Sequence, residues 1–156
     1  MSERILMPLD GSQLGEAAIS YIDGLISRLA PKHTVEITLF HVVTNVRHSV
    51  SYQGGGSVPI PYTDEELQKF KDEAMAYLER VSSRLKKEKI GVACKVAANE
   101  NPAEAILEAK DEVKATLIAM ATHGRGGITR FAIGSVADKV MRSSEVPVLM
   151  VRSSEK

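Results

Sequence analysis

Hydrophobic and polar positions follow two kinds of pattern along this chain. Short, nearly continuous apolar runs, rich in β-branched residues, predict strands that are covered on both faces of a sheet. Between these runs, apolar residues recur at every third or fourth position, which is typical of amphipathic helices. The runs that predict strands are Arg4–Leu9, Val35–Val43, Val92–Ala97, Ala115–Ala121 and Val146–Val151.

Polar residues mark the starts of the predicted helices. Ser12 follows the first strand, and we predict that it caps the first helix. Thr63 and Glu66 form a capping-box pattern at the start of the longest helix. Ser135 and Asp138 repeat this pattern before the last strand, so the same cap is predicted there.

Residues 44–62 interrupt the alternation of strands and helices. They contain three consecutive glycines at 54–56 and two prolines, and their apolar residues show no period. A structureless segment of this length is uncommon inside a compact domain. We therefore predict a mobile loop over residues 44–62, which is either a disordered insertion or a lid.

The order of the elements predicts an α/β fold. Strands that alternate with helices form a doubly wound parallel sheet with helices on both faces. A chain of 156 residues is the usual size of one domain, so residues 1–156 are interpreted as a single unit. In such sheets, ligands bind beyond the carboxyl ends of the strands, where the strand order reverses. Asp10, Val42 and Ala121 lie at three of these predicted strand ends.

Composition narrows the possible classes of protein. The 20 basic and 20 acidic residues give a net charge of zero, which does not favour nucleic-acid binding and does not oppose self-association. A single cysteine, Cys94, excludes a disulfide within the chain. Neither a secretory signal nor an apolar stretch of membrane-spanning length is visible, so a cytoplasmic location is expected. The four histidines show no metal-ligand spacing, and no metal-binding residue is predicted.

The segment Ala121–Ser135 is rich in glycine and leads from a predicted strand into a predicted helix. The unpaired N–H groups and the positive dipole end at a helix start favour an anion. The Walker A string of phosphate-binding loops is absent from the sequence. The dinucleotide fingerprint fails because Thr129 stands where its last glycine is required.

Gly124 is separated by nine residues from Gly134, which is followed by Ser135. This spacing resembles the universal stress protein family, whose nucleotide-binding members have Gly-x-x-Gly, nine residues, and Gly-Ser or Gly-Thr. Four further stretches share the resemblance: RILMPLDGS, LFHV, LIAMATHGRGG and GSVADKVMRSSEVPVLMVR. The resemblance implies a five-stranded parallel sheet of order 3-2-1-4-5 that binds ATP, together with Mg²⁺, across the first and fourth strand ends.

By matching position, the resemblance implies a nucleotide-binding set made of Pro8, Asp10, Val42, Met120, Ala121, Gly124, Gly134, Ser135 and Val136. Arg125 and Arg130 lie in the same loop, where each either clamps phosphates or remains solvated. The chain departs from the family pattern once, because Ala121 occupies the position of the first glycine. An added methyl group hinders close approach of a ligand to the backbone, so we expect it to weaken nucleotide binding.

Two functional hypotheses follow. The first is a small stress or regulatory protein that binds ATP and hydrolyses it slowly at most, since no nucleophile or general base is evident and no catalytic residue is predicted. The second is a homodimeric stress protein that does not bind nucleotide and acts through protein contacts. The resemblance implies that its interface is the last strand, Val146–Val151. A phosphoacceptor receiver domain is rejected, because Asp10 lacks the neighbouring acid that this class needs.

Overall fold

The computed structural model describes residues 3–13, 15–29, 34–85, 90–123 and 133–153. Strands and helices alternate along the chain, except for one pair of consecutive short strands before the longest helix. The elements are β1 (Glu3–Pro8), α1 (Ala17–Leu29), β2 (Val35–Val43), β3 (Arg47–Tyr52), β4 (Gly56–Pro61), α2 (Asp64–Ser82), β5 (Ile90–Ala98), α3 (Pro102–Glu112), β6 (Leu117–His123), α4 (Ser135–Ser143) and β7 (Val148–Ser153).

The main sheet has the order β5-β2-β1-β6-β7, and all four neighbouring pairs are parallel. Counted along the chain, its strands are in the order 3-2-1-4-5, which confirms the predicted doubly wound fold. β1 has β2 on one side and β6 on the other, so the strand order reverses at β1. A crevice at the carboxyl ends of β1 and β6 follows from this reversal.

The sheet buries an apolar layer on each face, because successive strand residues point to opposite sides. The layer beneath α1 and α2 includes Met7, Ile22, Leu39 and Leu78. The layer beneath α3 and α4 includes Leu6, Phe40, Ile118 and Val140. All eight side chains are at most 1% exposed, so both faces are covered as predicted. No helix in the described ranges is long and apolar enough to cross a membrane.

Residues 44–62 are not a disordered insertion, because most of them form two short strands, whereas their mobility stays a prediction. β3 and β4 form an antiparallel hairpin, paired from Arg47 opposite Pro61 to Tyr52 opposite Gly56. Gly54 and Gly55 adopt φ values of +141° and +86°, which glycine accommodates readily in the tight turn. The prolines and the short polar side chains hid the strands, because such residues normally argue against a strand interior.

The first helix also begins later than predicted. α1 starts at Ala17, and Ser12 is not its N-cap. The Ser12 hydroxyl instead accepts a hydrogen bond from the Gly15 N–H at 2.9 Å and donates one to the Asp10 carboxylate at 2.6 Å. Ser12 therefore stabilises the turn that connects β1 to the helix.

Candidate functional site

A cavity of about 510 Å³ opens at the carboxyl edge of the main sheet. This volume is within the range of small-molecule sites. One wall comes from α2, the opposite wall from α3 and α4, and the floor from the ends of β1, β2 and β6. The lining residues are Pro8, Leu9, Asp10, Gly15, Phe40, His41, Val42, Val43, Thr44, Asn45, Phe70, Glu73, Ala74, Pro102, Ile106, Met120, Ala121 and Val136.

The end of β1 places a carboxylate in this cavity. Asp10 Oδ1 accepts the Ser12 N–H at 2.9 Å, in addition to the Ser12 hydroxyl, so a turn of the Asx type orients the side chain. A Cβ atom at Gly15 would lie 2.5 Å from the same oxygen. Glycine at position 15 therefore allows the chain to pass close to Asp10.

His41, at the end of β2, is tied to the end of β1. Its Nδ1 lies 2.8 Å from the Leu9 carbonyl oxygen. Because a carbonyl only accepts hydrogen bonds, Nδ1 must be the donor, and the neutral ring then has Nε2 as an acceptor. The rings of His41 and Tyr77 meet edge to face, with centroids 6.3 Å apart. The two strand ends are thus held together next to the cavity.

Tyr77 links α2 to the segment that follows Asp10. Its hydroxyl donates to Glu16 Oε1 at 3.1 Å, and Arg84 forms an ion pair with Glu16 Oε2 at 2.6 Å. Burial raises the pKa of Tyr77 above its usual value, and the negative charge of Glu16 raises it further. The phenol therefore remains a protonated donor and holds α2 against the start of α1.

The α2 wall of the cavity is formed by three residues on one helical face. Phe70, Glu73 and Ala74 are spaced three and four residues apart, so their side chains lie side by side. Phe70 also contacts Tyr62 edge to face at 5.1 Å, and Tyr62 contacts His48 of β3 at 4.8 Å. A row of aromatic contacts therefore connects this wall to the hairpin.

The start of α4 forms the opposite rim. Val136 lines the cavity, while Gly134 and Ser135 immediately precede it and are exposed. The predicted capping box of Ser135 and Asp138 is wrong, because the N-cap is Gly134, which has no side chain to form one. Ser135 is already helical, and the Asp138 carboxylate accepts from Arg142 Nε at 2.9 and 3.0 Å instead.

The structure brings six of the predicted site residues to this one cavity: Pro8, Asp10, Val42, Met120, Ala121 and Val136. Gly134 and Ser135 lie beside it, and Gly124, Arg125 and Arg130 lie outside the described residues. Within the part of the chain that the structure describes, no group of three or more acidic, histidine or cysteine side chains could hold a metal ion.

Three of the lining residues that were not predicted from the sequence are His41, Phe70 and Glu73. His41 could have been found, since it precedes Val42 at a predicted strand end. Phe70 and Glu73 have no local signal, because their role depends on how α2 packs over the sheet. Among the lining residues that the structure describes, the ionisable side chains are two carboxylates and one imidazole, with neither lysine nor arginine.

A doubly wound sheet with an open cavity at its carboxyl edge defines a class of small α/β ligand-binding domains. Residues 1–152 match the Universal stress protein family. Universal stress protein YxiE of Bacillus subtilis is 31% identical over 153 residues, which cover 97% of this chain and 100% of YxiE. The chain therefore belongs to the universal stress protein family, as the sequence resemblance predicted.

Solved structures share the fold. The structure of the hypothetical protein MJ0577, from Methanocaldococcus jannaschii, aligns with a TM-score of 0.70 at 21% identity and covers 99% of this chain and 98% of its own. A universal stress protein in complex with cAMP aligns with a TM-score of 0.60, also at 21% identity, over 97% of this chain and 98% of its own. These similarities show the same architecture.

Proposed function

We propose that this protein binds an adenine nucleotide and acts as a regulatory stress protein, with ATP as the first candidate ligand. One observation supports the proposal above all. A cavity at the strand-order reversal is bordered by the start of α4, whose first turn has no side-chain cap. A cavity of about 510 Å³ is large enough for a nucleoside, whose phosphates would extend to that helix start.

The cavity wall suits the nucleoside part. Apolar side chains of Val42, Met120 and Val136 offer surface to a base, while Asp10 offers a hydrogen-bond acceptor to ribose hydroxyls. The complex of a universal stress protein with cAMP shows an adenine nucleotide on a relative with this fold. We therefore assign the base and the ribose to the floor between β1 and β6.

The phosphates would lie at the exposed start of α4, next to Gly134 and Ser135. Free N–H groups and the positive end of the helix dipole favour negative charge at this place. Mg²⁺ would accompany the phosphates, which themselves supply most of the oxygen ligands that this ion requires. We assign no catalytic residue, and we expect hydrolysis to be slow at most.

The direct test is mass spectrometry of ligand released from freshly purified protein, followed by calorimetric titration with ATP and Mg²⁺. We expect bound adenine nucleotide or a saturable titration. The absence of binding at millimolar ATP would refute the proposal.

Ala121 provides a test within the site. Ala121→Gly removes the methyl group at the position where nucleotide-binding relatives have glycine, so ATP affinity should rise several-fold. Ala119→Gly is the matched control, since Ala119 lies on the same strand and the same face but does not line the cavity. Equal affinity of both variants and the parent would show that Ala121 does not limit binding.

A second candidate function rests on β7. It is an edge strand of the main sheet, and Leu149, Met150 and Val151 are only half-buried there. An apolar edge favours strand pairing with another chain. We propose as the alternative a homodimer through residues 146–151 that acts without nucleotide. Sedimentation that shows a dimer, combined with no ATP binding, would favour this function over the first.

A further inference from the structure

The hairpin of β3 and β4 has an exposed apolar face. Across the described residues, four of the seven exposed large hydrophobic side chains belong to this hairpin: Val50, Tyr52, Val58 and Ile60. Val50 lies opposite Val58, and His48 lies opposite Ile60. Since residues two apart share a face of a strand, all four apolar side chains point to the same side.

This surface is electrically neutral. Residues 48–62 contain no aspartate, glutamate, lysine or arginine. Arg47, at the base of the hairpin, forms an ion pair with Glu100 at 2.5 Å. The hairpin therefore has no charged side chain within residues 48–62 that would attract a charged partner or repel an identical surface.

The two outer edges of the hairpin differ. Pro59 and Pro61 of β4 have no N–H group, so their pairs with Ser49 and Arg47 must be the non-hydrogen-bonded pairs of the ladder. In such pairs the main-chain groups point away from the partner strand. The edge of β4 consequently lacks donors at both prolines, which blocks the addition of a further strand.

The edge of β3 is open by the same reasoning. The N–H groups of Arg47, Ser49 and Ser51 point outward, because these residues occupy the non-hydrogen-bonded pairs. β3 pairs only with β4 among the residues that the structure describes. The side chains of all three residues are exposed.

We propose that β3 pairs antiparallel with β3 of a second copy of this chain, about a two-fold axis at Ser49. The result is a four-stranded sheet of order β4-β3-β3-β4, with one continuous apolar face. A two-stranded ribbon is marginally stable in water, whereas three or more strands with an apolar face are stable. Self-pairing would therefore give the outward main-chain groups of β3 hydrogen-bond partners without another protein.

The same geometry limits this mode of strand pairing to two copies. Both outer strands of the joined sheet are β4, and their prolines prevent further strand addition. A two-fold axis makes the contact self-complementary, as in most homodimers. The contact is small compared with interfaces of about 1,200–2,000 Å². We therefore expect association that increases with protein concentration and that adds to any interface elsewhere on the chain.

Ser49→Pro tests the pairing. It removes the central outward donor of β3 and leaves the ladder intact, because Ser49 lies opposite Pro59 in a pair that makes no hydrogen bond. The mean particle mass, measured by sedimentation at high protein concentration, should fall twofold relative to the parent protein. Ser57→Pro is the matched control on the blocked edge of β4, and it should leave the mass unchanged.

Ser49→Cys gives a second readout. Two copies related by the axis would place their introduced thiols opposite each other, so mild oxidation should form a covalent dimer. Ser57→Cys also retains the native Cys94, and it should form much less covalent dimer under the same oxidation. An unchanged mass in Ser49→Pro would overturn the proposal, and so would equal cross-linking of the two cysteine variants. Either result would do so even if the hairpin were found to bind a different protein. ATP affinity should be the same in all four variants.

Discussion

Two helix starts with similar sequence signals end up in opposite states. Thr63 and Glu66 at the start of α2 complete a capping box, in which the Thr63 hydroxyl accepts from the Glu66 N–H at 3.2 Å and the Glu66 carboxylate accepts from the Thr63 N–H at 2.8 Å. Ser135 and Asp138 at the start of α4 make neither bond, and Gly134 leaves that helix without a side-chain cap.

The difference arises because Thr63 is the N-cap residue of α2, whereas Ser135 is already the first helical residue of α4. The start of α2 is satisfied by its own side chains, so its role is structural. The start of α4 borders the cavity through Val136, and Gly134 supplies no side chain that could accept from the first N–H groups of the helix. The same residue pattern therefore serves stability in one helix and, in our proposal, an anion in the other.

Closing the α4 start should have the largest effect. In Gly134→Ser, the new hydroxyl can accept from the first-turn N–H groups that we assign to phosphate. A Cβ at Gly134 meets no atom within 4 Å, so the fold should tolerate it. The helix should gain a few tenths of a kcal/mol, while ATP affinity falls about tenfold, roughly the value of one hydrogen bond to a charged group. Thermal unfolding and calorimetry measure the two effects.

Gly24→Ser is the control for this variant. Gly24 lies in α1, outside the cavity lining, and a Cβ there also meets no atom within 4 Å. ATP should bind to Gly24→Ser as it binds to the parent. Unaltered ATP affinity in Gly134→Ser would remove the functional contrast between the two helix starts.

Opening the α2 start should have a smaller effect, on stability instead of binding. Thr63→Ala removes the hydroxyl that accepts the Glu66 N–H, which should lower the free energy of unfolding by about 1 kcal/mol. ATP affinity should not change, because Thr63 is outside the cavity lining. Denaturant unfolding measures the first quantity, and a large loss of ATP binding would contradict the assignment of a purely structural role.

The charge of Glu66 should have the smallest effect and should depend on pH. The hydrogen bond from the Thr63 backbone lowers the pKa of Glu66 below 4.5. A carboxylate with a depressed pKa in the folded state adds stability above its unfolded pKa and loses it as the pH falls through the folded pKa. Glu66→Gln should therefore unfold at a lower temperature than the parent at pH 7, and the two should converge below pH 4.5. A constant difference across this range would contradict the role of the charge.

The sheet could be predicted because each of its strands is a nearly continuous apolar run. The boundaries were less accurate where a run extends past its strand. Ala115 is apolar but belongs to the turn after α3, where Lys114 adopts a φ of +51° and the Ala115 N–H donates to the Lys110 carbonyl. Burial in that turn has the same sequence signature as burial in a strand.

The floor of the cavity could be predicted, whereas its α2 wall could not. Pro8, Asp10, Val42 and Met120 come from strand ends, whose positions follow from the topology. The contributions of Phe70 and Glu73 depend on the rotation of α2 about its axis, which hydrophobic periodicity does not specify closely enough. The hairpin was missed because serines, glycines and prolines alternate with its apolar residues, and such residues normally argue against a strand interior.

The hairpin also bears on how this chain can change during evolution. The Tyr62 N–H donates to the Val46 carbonyl at 3.0 Å, so the main chain returns to its starting point after residues 47–61. Tyr62, which contacts the cavity wall through Phe70, lies outside this excursion. Because this hydrogen bond closes the hairpin at its base, we expect insertions, deletions and substitutions within it to leave the path of the main sheet unaltered. Selection can thus remodel this surface of the protein while the ligand site keeps its framework.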